Sequence, residues 1–185
     1  MLEVSYLGVP IRVHSFTGKV VDSNKQLETK VSGSGGGGAV YQGNGAVAPI
    51  NIQSSTTVHD QFFLIDENGK EISVKLQNWD ISLRTQHILQ VIWAVPGKAT
   101  QGPYVTINNH NLNDVTWNDS QLKNAVSPCL LKHLLIGFVT SIVLGYIASS
   151  FGLFFLGVIS TFIYFFIRRG IFAKDLKNKI QEHLL

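Results

Sequence analysis

The sequence predicts an N-terminal all-β domain, a small barrel or sandwich of SH3-like or OB-like type. A transmembrane α-helical hairpin and a short amphipathic C-terminal helix follow it. Three observations predict this plan. The stretch from Leu134 to Ile167 contains no Asp, Glu, Lys, Arg or His. Basic residues stand on both sides of that stretch. Upstream of it, short segments of alternating polarity are separated by turn-forming residues.

The uncharged stretch is too long for one crossing. A single straight helix of that length would be roughly 50 Å, against a bilayer core of about 30 Å. Two helices fit if the chain reverses near Ala148-Ser149-Ser150-Phe151-Gly152, where small residues and a glycine permit a turn. Lys132 and His133 precede the run, and Arg168, Arg169 and Lys174 follow it. Positive residues at membrane-helix ends favour the cytoplasmic side, so two basic flanks require an even number of passes. Helices at about 130–149 and 151–168 are expected, together forming a hairpin over 130–168.

The soluble domain is expected to cover residues 1–126. Ile11 and Val13 alternate with Arg12 and His14, a short strand pattern. Residues 18–21 and 26–31 read as two further strands, with Asp22 to Lys25 as the turn between them. Ile50 to Gln53 and Ser54 to His59 also read as extended. Gln61 to Ile65 and Glu71 to Leu76 flank Asn68-Gly69, the strongest short hairpin-turn signal. Ile72, Val74 and Leu76 share one face and require a core beneath them. Ile88 to Val95 reads as a central strand closed by Pro96-Gly97, Tyr104 to Ile107 as another, and Val115 to Trp117 as a short last one. Closely spaced short strands of this kind predict a small all-β domain.

Residues 32–49 form a glycine-rich loop, too flexible by composition to build a core of its own. Gly33, Gly35 and Gly38 match G-x-G-x-x-G, but no helix can open after them to face a pyrophosphate. The loop is instead expected to order against another subunit or partner. Gly35, Gly36 and Tyr41 are the contact residues, with the Tyr41 ring offering area at little entropic cost. Ser120 to Val126 reads as a short helix capped by Asp119 or Ser120, with Pro128 between it and the membrane part. Residues 170–185 read as an amphipathic helix with Phe172, Leu176, Ile180 and Leu184 on one side. Its apolar stripe can lie on headgroups or against the β domain.

Composition narrows the function. Through Val126 the chain carries nine Lys/Arg and ten Asp/Glu; from Ser127 onward it carries six and two. The net charge of +3 therefore belongs to the membrane-proximal part, which suits anionic lipid rather than nucleic acid. Arg12, Lys19, Lys75 and Arg84 are diluted by acids, so the phosphate-neutralising stripe of a nucleic-acid domain is missing. The single cysteine, Cys129, fits a reducing compartment. No secretory leader is expected from the polar start of the chain. Six histidines, His14, His59, His87, His110, His133 and His183, stand at no metal-ligand spacing. There is no G-x-S-x-G elbow and no carboxylate pair set apart for acid–base work. Neither catalytic residues, metal nor cofactor are expected.

Within the uncharged stretch, small residues recur every four positions: Gly137, Ser141, Gly145 and Ser149, then Gly157 and Thr161. Such spacing lets helix backbones approach closely where lipid supplies no hydrophobic drive, first between the two helices of one hairpin and, as the alternative, also between subunits. Lys132, Arg168, Arg169, Lys174 and Lys177 are expected at the membrane surface. The sequence thus points to a membrane-anchored, non-enzymatic scaffold or binding protein that self-associates as a homo-oligomer. Its β domain and both termini would be cytoplasmic, on a plan that suits a bacterial inner membrane. Its partners would be the bilayer, its own copies and a further protein. The alternatives are a pore-forming oligomer of hairpins and a membrane-bound enzyme whose site is shared between subunits.

Overall fold

The computed structural model describes residues 1–36, 38–41, 44–47, 50–79 and 81–185. An antiparallel sheet is followed by two long apolar helices. The strands are β1 (Leu2–Tyr6), β2 (Val9–Ser34), β3 (Gly38–Tyr41), β4 (Asn44–Val47), β5 (Asn51–Ile65), β6 (Glu71–Gln77), β7 (Ile88–Pro96), β8 (Tyr104–Asn109) and β9 (Asp114–Trp117). The helices are α1 (Asp119–Ile147) and α2 (Phe151–Leu184).

The main sheet runs β6-β5-β2-β7-β8-β9, with β1 also paired to β2. It is open among the described residues, where the sequence suggested a barrel or sandwich. The difference follows from how its faces are covered. One face carries Ile11, Val13, Ile92 and Ala94, and packs on Leu122, Ala125 and Val126 of α1 and Ala173, Leu176 and Ile180 of α2. The other carries Val20, Phe62, Leu64, Val74, Leu89 and Val91, covered by Trp79, Ile81 and Leu83. A sheet capped in this way needs no second sheet or closure to bury its apolar residues. Burying each fully enclosed Leu, Ile or Phe contributes roughly 1.5–3 kcal/mol, so α2 is a structural part of the β domain.

β2 organises the sheet. Its first half pairs with β1 and β7, and its second half with β5. The Asp22–Lys25 turn expected from sequence does not form: these residues continue the strand and pair with Phe63, Phe62, Gln61 and Asp60. The register shift lies one residue earlier, between Val20 and Asp22. A bulge inserts one residue and so switches which side chains face which side. That switch breaks the alternation, and in the sequence it reads as a turn. Beyond it, β2 and β5 form a two-stranded ribbon from Ser23–Phe62 out to Ser34–Asn51.

Residues 32–34 of the glycine-rich stretch lie in β2, and β3 and β4 pair with each other. Gly35 and Gly36 follow β2 at φ of 111° and 90°, a region that favours glycine. Asn68-Gly69 lies in the β5–β6 turn, where the Asp66 carboxylate accepts from the Asn68 and Lys70 amides. β1 and β2 are joined by Leu7 and Gly8, both at positive φ, the two-residue geometry that matches strand twist. A leucine there is why β1 was not visible in the sequence.

Both helices are longer than expected. Asn118 caps α1, its side chain accepting from the Gln121 amide, and α1 runs through Pro128 without stopping. Proline removes the amide that would bond the carbonyl four residues back. The neighbouring Lys123 carbonyl accepts from Ser127 Oγ at 2.6 Å and from Arg169 Nε at 3.1 Å, which ties this turn to α2. α2 is one helix from Phe151 to Leu184, and the expected break between a membrane helix and a tail is absent. Of the two placements open to the tail, packing on the sheet is the one observed.

Candidate functional site

Three surfaces carry the functional reading: the α1–α2 contact, its junction with the sheet, and the β2–β5 ribbon. α1 and α2 are both long and apolar enough to cross a membrane. They meet through small residues. A Cβ built on Gly137 would lie 2.6 Å from Thr161 Cγ2, and one on Gly157 would lie 2.7 Å from Ser141 Oγ. A Cβ on Gly145 would lie 2.7 Å from Phe154 Cβ. The four-residue stripe is therefore used inside the chain, and Ser141 is buried by it. Ser141 and Thr161 donate to the carbonyls of Gly137 and Gly157 on their own helices. Ser149 stands apart, at φ 48° in the connection. The remaining surface is apolar and open, including Phe138, Val139, Ile142, Phe155, Leu156 and Ile163.

The junction is polar and tightly paired. Tyr6 Oη donates to Asp175 Oδ2 at 2.7 Å, and Lys179 Nζ lies 2.8 Å from the same oxygen. The Tyr6 ring stacks on Phe172 with centroids 4.7 Å apart. The hydrogen bonds from Lys179 and Tyr6 hold the Asp175 carboxyl below its usual range. Burial, then the Asp175 contact, pushes the Tyr6 phenol above its own. Arg169 Nη2 donates to Asn124 Oδ1 at 2.8 Å. Lys177 pairs with Asp119 at 3.2 Å and lies over the Trp117 ring, and Arg168 lies over Tyr164 and Phe172. Of the residues expected at a membrane surface, Arg169 and Lys177 are thus engaged within the protein, while Lys132, Arg168 and Lys174 are exposed. Cys129 is only 1% exposed, which seals its sulfur from modification.

The ribbon has two unlike faces, because residues opposite one another on paired strands share a side. One side carries Asn24, Gln26, Glu28, His59 and Gln61 around a shallow recess, with His59 Nε2 3.1 Å from Glu28 Oε2. The other begins at the Lys25–Asp60 pair, 3.8 Å apart, where burial raises the Asp60 carboxyl above its ordinary value and Lys25 opposes the shift. From there it continues through Leu27, Thr29 and Val31 opposite Val58, Thr56 and Ser54. Gly35 and Gly36 are exposed beyond the strand end. Tyr41 belongs to β3, and its side chain lies outside the described residues.

Sequence reasoning missed the Tyr6–Asp175–Lys179 cluster, because Tyr6 and Asp175 stand at opposite ends of the chain. It missed the ribbon's faces because the bulge hides their period. His14 stacks on Trp93, and His87 hydrogen-bonds Asn109; both serve packing. Among the described residues no three His, Cys, Asp or Glu side chains converge. No protein-family profile, curated protein or solved structure matches the chain.

Two outcomes follow. Gly170 has no atom within 4 Å of a built Cβ, whereas Gly157 meets Ser141. Gly170→Ala should raise stability in detergent by roughly 0.5–1 kcal/mol, and Gly157→Ala should lower it; thermal unfolding of the two variants should shift in opposite directions. The lowered Asp175 carboxyl contributes stability above its unfolded value near pH 4, lost as pH falls through the folded one. The raised Tyr6 phenol contributes below its unfolded value near pH 10, lost as pH rises. Tyr6→Phe should therefore flatten both limbs of a stability–pH curve. It should cost roughly 0.5–1 kcal/mol near neutrality, toward the lower end because Asp175 is half exposed.

Proposed function

We propose that this chain is a membrane-anchored, non-enzymatic scaffold that binds other proteins and self-associates. In this reading α1 and α2 cross the bilayer as a hairpin from about Leu134 to Ile167, with Lys132, Arg168 and Arg169 at the cytoplasmic surface. The sheet and both termini then share the cytosol, and a bacterial inner membrane is the fitting location.

The observation that carries the reading is the β2–β5 ribbon on a firmly mounted domain. α2 enters the sheet's core without a break, so the domain is held at a set height above its helices. From that domain the ribbon extends with both faces exposed from about Leu27 to Ser34 on β2. A lone two-stranded ribbon is marginal in water, and uncovered strand edges invite pairing. Anchoring in one bilayer raises effective concentration, so that weak contacts add. A scaffold uses such a surface directly.

Purified in mild detergent or nanodiscs, the chain should have a detergent-corrected mass that is a multiple of the 20.4 kDa protomer. A protomer mass at every concentration would overturn self-association.

A further inference from the structure

The bulge at Val21 decides which residues share the ribbon's second face. Val20 stands opposite Leu64, and after the shift Ser23 stands opposite Phe62. From there Leu27, Thr29 and Val31 of β2 and Ile52, Thr56 and Val58 of β5 all lie on the side that carries Phe62 and Leu64 in the core. The face thus lies on the same side as the apolar interior, set off from it by Ser23 and the Lys25–Asp60 pair, and is carried out into solvent. Leu27, Val31 and Ile52 are 69%, 64% and 68% exposed. Thr29 Oγ1 and Thr56 Oγ1 are 3.2 Å apart across the middle of it. Beyond the Lys25–Asp60 pair the face holds no charged side chain, while Glu28, Lys30 and His59 all lie on the reverse.

We propose that this face is a homotypic interface, covered by the same face of a second copy of the chain. The contact presupposes the self-association proposed above and assigns it to a surface. A charged partner would find nothing here to pair with, whereas two uncharged copies meet without repulsion and bury Leu27, Val31 and Ile52 against their equivalents. Copies anchored in one bilayer also present their ribbons at the same height. The size of the patch favours an anchored partner. With about 3.3 Å per residue and strands about 4.8 Å apart, the face from Leu27 to Gly33 covers roughly 220 Å² per copy. Two copies bury roughly 440 Å², short of the ~1,200 Å² at the low end of stable free complexes. Membrane confinement supplies the difference as effective concentration. The glycine-rich tip then follows the interface rather than forming it.

Single cysteines test the face, because native Cys129 is sealed. In the full-length chain in nanodiscs or membranes, Thr29→Cys and Val31→Cys should form cross-linked dimers with a short bismaleimide. Lys30→Cys and Ser32→Cys, on the reverse face, should give several-fold less. All four positions are exposed, so the fold tolerates each change. Equal yields on the two faces, or cross-links only to a different polypeptide, would overturn the assignment. So would no cross-linking while the unmodified chain keeps an oligomeric mass, an outcome that leaves self-association standing. A monomeric mass for the unmodified chain would remove the self-association itself, and this interface with it.

Discussion

Everything in this structure is conditioned by one helix that is long and apolar enough to cross a membrane and that also enters the sheet's core. The first part of α2 is uncharged and apolar on its open sides; the last part buries Ala173, Leu176 and Ile180 in the sheet's core. No flexible joint separates them. α1 does the same in mirror order, burying Leu122, Ala125 and Val126 before it becomes uniformly apolar. The sheet is therefore built onto the helix pair instead of being tethered to it. The small-residue contacts at Gly137 and Gly157 set the spacing of that pair along its apolar length.

The junction between the helix pair and the sheet gathers the cations. Arg169 and Lys177 are spent on contacts within the protein, to Asn124 and Asp119, and Lys179 is spent on Asp175. Lys132, Arg168 and Lys174 remain turned outward. Paired cations lock the helices to one another and to β1 through Tyr6. A rigid mount of this kind gives a projecting ribbon a consistent orientation, which a flexible linker would not.

Much of this was legible in the residues. The uncharged run, the break between helices near Ser149, the Asn68-Gly69 turn and the central place of Ile88–Val95 each rest on a local signal, and each corresponds to a feature of the fold. What was not legible depends on tertiary context. The length of β2 was hidden because Asp22-Ser-Asn-Lys25 has turn composition, while its backbone is claimed by β5. The open sheet could not be told from a barrel, because alternation reports a buried face without saying what buries it. Pro128 looked like a boundary, yet α1 continues through it, with the turn before it tied to α2 by Arg169. The small-residue stripe was readable as packing between the two helices of one chain, and Gly137, Gly145 and Gly157 do meet the other helix; Ser149, counted in the stripe, falls in the connection instead.

The central claim is that α1 and α2 together cross a bilayer and return, leaving the sheet on one side and the Ser149 turn on the other. Site-directed labelling in sealed vesicles tests it most directly. Glu67→Cys, on the exposed β5–β6 turn, and Ser149→Cys, on the exposed helix connection, would each be treated with a membrane-impermeant maleimide. The account predicts that vesicles of one orientation label only one of the two, and that the pattern reverses in inverted vesicles. Labelling of both from the same side would contradict it.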